Sequence, residues 1–124
     1  MERTNFEKLQ VYQLSEKLAD GIWKVVLVWN PFARDTVGKQ IVRSADGVGA
    51  NIAEVAGEEA LWIIAVSSEW PVVRYMKLFT GLRRAYVRGL LSQAEVRKLR
   101  VLVEELSPKL NAYLRSVDQR AKAS

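Results

Sequence analysis

Cysteine and histidine are both absent from this 124-residue sequence. Without cysteine there is no disulfide and no thiolate, and a reducing cytoplasm suits such a chain. Without histidine the commonest general base and the commonest metal ligand are gone as well. No catalytic residues, no metal site and no cofactor are therefore expected. Proline is scarce, at three residues. Long apolar runs are missing too: the longest, LWIIAV at 61–66, falls far short of the ~20 residues that span a bilayer. The N-terminus, MERTNFEKLQ, is charged and amphipathic, unlike a secretory signal. A cytoplasmic protein without a membrane partner is the expectation.

What the sequence has is helical periodicity and positive charge. Apolar residues make up 49% of the chain, enough to bury a core in one domain spanning residues 1–124, with little margin and hence a motive for oligomerisation. The net charge is +5 and the pI about 9.7. Residues 83–124 hold ten basic and four acidic side chains, whereas residues 1–82 hold nine and ten. The whole excess sits in the last third. A cationic region of this kind suits a polyanion, because neutralised phosphates release condensed counterions. A solvated helical face that keeps the protein soluble is the plainer alternative.

Four helices are expected, at about 5–29, 37–55, 59–88 and 93–118. The first opens with a Thr4/Glu7 capping box and carries Val11, Leu14, Leu18, Ile22, Val25 and Trp29 at three- and four-residue steps. Asn30-Pro31 ends it, because the residue before proline is pushed out of the α region. Asp35 or Thr36 is the candidate cap of the second, whose apolar stripe is Ile41, Ala45, Val48 and Ile52. Beside that stripe run Gln40, Arg43, Gly47, Asn51 and Glu54. Polar groups at near-core spacing suggest a buried or interfacial hydrogen-bond network, in which an unsatisfied member costs ~1–3 kcal/mol. A water-facing side is the alternative. The fourth helix follows a Gly89 stop and a Ser92/Glu95 capping box, with a seam of Val96, Leu99, Val103, Leu106, Leu110, Tyr113 and Val117. Pro108 is expected to bend it. The third helix reads badly: residues 61–66 lack an amphipathic period, and Pro71 interrupts the hydrogen-bond ladder. Together these segments predict an all-α, up-down-up-down antiparallel four-helix bundle.

Three stretches carry a family likeness: FEKLQVYQLSEKLAD, GKQIVRSADGVGANIAE and LRRAYVRGLLS. They resemble the 23S ribosomal RNA intervening-sequence protein family, also called the four-helix-bundle protein family. Phe6, Leu9, Val11, Tyr12, Gln40, Ile41, Arg43, Ala45, Asn51, Ile52, Ala53 and Glu54 match its pattern. The likeness covers the chain except residues 55–81. It implies an up-down-up-down bundle assembled as a homopentameric ring. Genes of some members lie within insertions in ribosomal RNA genes. A related branch, the accessory proteins of diversity-generating retroelements, forms basic pentameric barrels that bind nucleic acid and a reverse transcriptase.

Residues 55–81 depart from the family, which continues there with a G-x-G-R-x-S turn and later A-R-G-S-L-x-E-T. Joining the third base of each codon to the first two of the next lets residues 55–82 be spelled GSGRGSSLDNRRFVGMARGSLYETIHWL. Three letters are forced by single-codon residues: Trp62 before Ile63 yields D, Trp70 before Pro71 yields A, and Met76 before Lys77 yields E. All three fall where the family has them; the other letters were selected among a few choices each. The expectation is one base lost near Glu54/Val55 and one regained near Gly81/Leu82. Restoring the frame would raise the charge from +5 to about +8, strengthening the polyanion argument.

The expected function is non-enzymatic: non-specific binding of RNA or DNA by a ring-shaped homo-oligomer. The candidate contacts are Arg83, Arg84, Arg88, Arg97, Lys98 and Arg100, around the third turn. They would grip phosphates, and no RNP aromatics, zinc spacing or helix-turn-helix signal offers base readout. The alternative is an assembly or adaptor protein whose ligand is another protein, with Gln40, Arg43, Asn51 and Glu54 fixing bundle or subunit geometry. Glu54 with Arg43 is the one pair resembling an acid and its partner, and a structural ion pair is the commoner meaning of such a pair. Trp23, Trp29, Tyr86 and Tyr113 are read as core residues, with base stacking the other use of the two tyrosines.

Overall fold

The structure, a computed structural model, describes residues 9–55 and 71–123, with side chains for all of these except 53–55, 71–74, 117–118, 120 and 121–123. Every element among the described residues is helical: α1 (Gln10–Leu27), α2 (Pro31–Ala33), a π-helical turn (Arg34–Gly38), α3 (Lys39–Val55), α4 (Pro71–Val87) and α5 (Gln93–Ala123). There is no strand among them. No helix in this set is long and apolar enough to cross a membrane.

α1 starts later than the periodicity suggests, because Leu9 is extended and forms the N-cap. The Thr4/Glu7 capping box lies outside the described residues. α1 also ends earlier, at Leu27, with the Trp29 amide donating to the Val26 carbonyl at 3.0 Å. Asn30-Pro31 then acts twice. It stops α1, and it starts the next helix: Asn30 Oδ1 accepts the Ala33 amide at 3.0 Å, and Pro31 occupies the first turn, where its missing N–H costs nothing. Asp35 and Thr36 are therefore not the cap. Thr36 Oγ1 instead donates back to the Phe32 carbonyl at 2.6 Å, inside the helix. α2, the π turn and α3 follow one another without a break.

The apolar stripes land largely as the sequence suggests. Val11, Leu14, Leu18, Ile22, Val26 and Trp29 are buried from α1 and its exit, and Ile41, Ala45, Val48 and Ile52 from α3. From α5, Leu99, Leu106 and Leu110 are buried while Val96, Val103 and Tyr113 pack partly buried against the core; the Val117 side chain lies outside the described set. α3 packs against both α1 and α4, and α5 lies mainly along α1. Trp23 is a correction: it is 54% exposed. Val26, one step on from the expected Val25, takes the buried place at that end of α1.

Pro71 is the first described residue of α4. The remainder of the expected third helix, 59–70, lies outside the described residues. Tyr75 and Leu78 anchor α4 in the core, at 4% and 0% exposure. The Tyr75 hydroxyl donates to the Val103 carbonyl at 3.3 Å and meets Ser107 Oγ at 2.9 Å, tying α4 to α5 just before Pro108. α5 runs on through that proline for 31 residues, about 45 Å at ~1.5 Å each.

Candidate nucleic-acid interface

The turn between α4 and α5 is built from short-range chemistry. Gly89 adopts φ 77°, a left-handed conformation that costs a residue with a Cβ ~1 kcal/mol or more. The Gly89 amide donates to Tyr86 O at 3.0 Å and the Leu90 amide to Ala85 O at 2.9 Å, the paired bonds of a Schellman ending. Three residues later Ser92 Oγ accepts the Glu95 amide at 3.1 Å, and Glu95 Oε1 accepts the Ser92 amide at 2.9 Å. That reciprocal capping box opens α5 as the sequence predicts. Glu95, an acid close to the cationic cluster, is engaged by this cap.

Arg83, Arg84, Arg88, Arg97, Lys98 and Arg100 are all exposed. They do not share one face. Arg84 and Arg88 line a groove between α3 and α4, whose other wall carries Gln40, Arg43 and Ser44. Arg83 and Arg100 instead flank an apolar groove between α4 and α5 that includes Phe79, Tyr86, Leu91 and Leu99. Arg97 and Lys98 line neither of these two grooves. Arg100 Nε also meets Glu104 Oε1 at 3.0 Å, with both side chains largely in water, so the pair holds Arg100 weakly.

The polar stripe of α3 is divided. Gln40 and Arg43 are exposed, contrary to the expectation of a buried network within the chain. Gln40 and Arg43 stand about 60° apart around α3 and line the open groove beside α4, whereas Ile41 turns into the core. Asn51, at 8% exposure, is the member that is buried, and Gly47 is half-buried. The Glu54 side chain lies outside the described residues, and with it the pairing of Glu54 with Arg43. Tyr86 is another correction, being 50% exposed, whereas Tyr113 packs partly buried as expected.

Lys77 and Ser44 were not singled out by their sequence context, yet both line the α3–α4 groove. A signal existed: Lys77, Arg84 and Arg88 fall seven and then four residues apart, which returns them to one helix face. Two carboxylates on the other side of α3 show the opposite electrostatics. Burial first, and the charge of Asp20 second, push the Asp46 carboxyl above its ordinary range. Burial likewise raises the Tyr75 phenol, partly offset by its hydrogen bond with Ser107. Among the described residues, no group of three or more carboxylates comes together as metal ligands would.

No family model matches the chain, and no curated protein matches it.

Proposed function

We propose that this chain is a non-enzymatic basic bundle protein that binds RNA or DNA through phosphates with little base selectivity. The observation that carries the reading is the exposure of six cations within one short stretch, Arg83 to Arg100, around a turn fixed by a Schellman ending and a capping box. Arginine presents a planar fork of donors that matches phosphate oxygens, and a fixed turn spares part of the ordering cost of holding several such forks together. Two long helices meeting at a tight turn also fit the finer fold reading, an up-down-up-down antiparallel four-helix bundle. Kinship with the intervening-sequence protein family, and assembly as a homopentameric ring, belong to the same proposal. They rest on the QIxRxAxxxxxNIAE pattern from Gln40 to Glu54.

The proposal extends to residues 55–81 as that family's motif read out of frame. An intact mass different from the 14.1 kDa of the chain as written is the result expected if the segment was recorded wrongly. A matching mass would remove that version and leave a genuine double frameshift, with redesign of the third helix or divergence of a homologue as its rivals.

The direct test of function is purification at mild salt followed by the ratio of absorbance at 260 and 280 nm, with and without nuclease. Nucleic acid that co-purifies and is removed by nuclease supports the reading. Purification free of nucleic acid, with a protein partner retained after nuclease, favours the adaptor alternative. One observation speaks for that second reading: Trp23, Leu27, Val28 and Phe32 are each more than half exposed around the α1–α2 corner, an apolar surface suited to protein contact.

A further inference from the structure

Two apolar surfaces stand uncovered on this chain, on helix pairs that share no member. The first is the α1–α2 corner, where Val28 and Phe32 are 79% and 80% exposed, with Trp23 and Leu27 beside them. Side chains this exposed project from the surface. The second is the α4–α5 groove, a hollow of about 290 Å³ lined by Leu82, Tyr86, Leu91, Val96 and Leu99 together with Phe79. The first five lie outside residues 55–81. Position 79 is apolar in either reading frame, Phe as written and Ile when the frame is restored, so the groove does not depend on that question.

Size and charge say what covers them. The four corner side chains leave on the order of 500 Å² of apolar surface in water. A matching area on the groove brings the total to roughly 1,000 Å², where specific interfaces begin. Asp20 stands one helical turn before Trp23, and Asp46 lines a groove with Trp23 and Leu27. Neither carboxylate has an ion pair among the described residues, although Lys39 and Arg43 line the groove of Asp46. Burial and then the charge of Asp20 push the Asp46 carboxyl up, so an arriving cation is welcome there. Arg83 and Arg100 flank the α4–α5 groove. Arg83 has no ion pair among the described residues, and Arg100 has only the exposed one with Glu104. A projecting apolar corner beside unpaired acids thus matches a hollow apolar groove beside available arginines, and one chain carries both.

We infer that the α1–α2 corner of one copy seats in the α4–α5 groove of a second copy, with Arg83 and Arg100 brought toward Asp20 and Asp46. Such a contact is head to tail, because it joins two different surfaces and leaves one of each free for the next copy. It closes into a ring when successive copies shift little along the bundle, and runs into a filament when they shift far. The shift is small here. Leu99 of the groove faces Gly21 of α1, where an added Cβ would lie 3.5 Å from Leu99 Cδ2, and Trp23 follows two residues on, about 3 Å further along the helix. The inference rests on the assembly part of the reading above and supplies its two surfaces. Arg84, Arg88, Arg97 and Lys98 do not line the α4–α5 groove and are left for phosphates.

The test is the mass in solution of nuclease-treated protein, by sedimentation or light scattering. Wild type is compared with a corner variant, Val28→Ser/Phe32→Ser, a groove variant, Arg83→Glu/Tyr86→Ser, and a control, Arg97→Gln/Lys98→Gln, each checked by thermal melting. All six side chains are exposed, so folding is expected to survive. Wild type and control should give the same multiple of the 14.1 kDa chain mass. The corner and groove variants should each fall to a single chain. Mixed in equal amounts they should form a two-chain species, since one intact corner then meets one intact groove. Loss of assembly in the corner variant alone means corner against corner and overturns the inference, as does full assembly of both variants; each of these results keeps the assembly reading. Wild type that runs as a single chain at every concentration overturns the assembly reading itself, and the inference with it.

Discussion

Tyr75 shows what a single side chain contributes here. Its ring is buried and its hydroxyl reaches both the Val103 carbonyl and Ser107 Oγ on α5. Tyr75→Phe keeps the ring and strands those partners, so a loss of about 1 kcal/mol is expected in chemical denaturation; an unchanged midpoint would mean water replaces the hydroxyl. Asp46 works in the opposite direction. Its carboxyl is held above the ordinary range, by burial first and by Asp20 second, so the ionised form is disfavoured by folding. The resulting penalty is present in full above the folded pKa and disappears as pH falls through it. Asp46→Asn should accordingly stabilise the protein near pH 7 by ~0.5 kcal/mol or less, since the side chain is exposed, and have no such effect at about pH 3. Melting curves at the two pH values check this. Neither residue stood out in the sequence. Tyr75 is one tyrosine in a stretch without clear period, and Asp46 meets Asp20 only once α1 and α3 pack.

At the scale of elements, legibility followed the density of local signals. The α4–α5 turn could be read because each part acts within a few residues: Gly89 for the left-handed step, Ser92 and Glu95 for the box. Gly89→Ala and Ser92→Ala are each expected to cost about 1 kcal/mol, measured by thermal or urea unfolding. The buried faces of α1 and α3 were equally legible, since 3.6-residue periodicity reports burial directly. Two things escaped. Asn30-Pro31 reads as a stop but not as the following start, because proline's effect depends on which side of it the helix lies. The polar stripe of α3 reads as a buried or interfacial network, and within the chain it divides: Gln40 and Arg43 face an open groove while Asn51 is buried. Periodicity places a residue on a helix, whereas the neighbour that covers or leaves it is a tertiary matter. Gly81 belongs to the same level: Gly81→Val should cost ~1–3 kcal/mol by driving a side chain into Ile41, with the loss read in unfolding experiments.

At the scale of the molecule, charge and shape join. Residues 83–124 carry the net positive excess that the rest of the chain lacks. The fold sends those cations in more than one direction, toward the α3–α4 groove, toward the apolar α4–α5 groove and outward. Sequence composition could give the sign and the region of the charge. It could not give the company of Arg83 and Arg100, which come from two different helices and flank one groove only when α4 and α5 pack together. The account turns on those cations meeting phosphates, and a salt titration of single-stranded oligonucleotide binding to the unaltered protein tests it most directly. Four to six phosphate contacts predict a straight fall of log K with log salt, with a slope of about −3 to −4. A flat line, or no binding at the lowest salt, would contradict it.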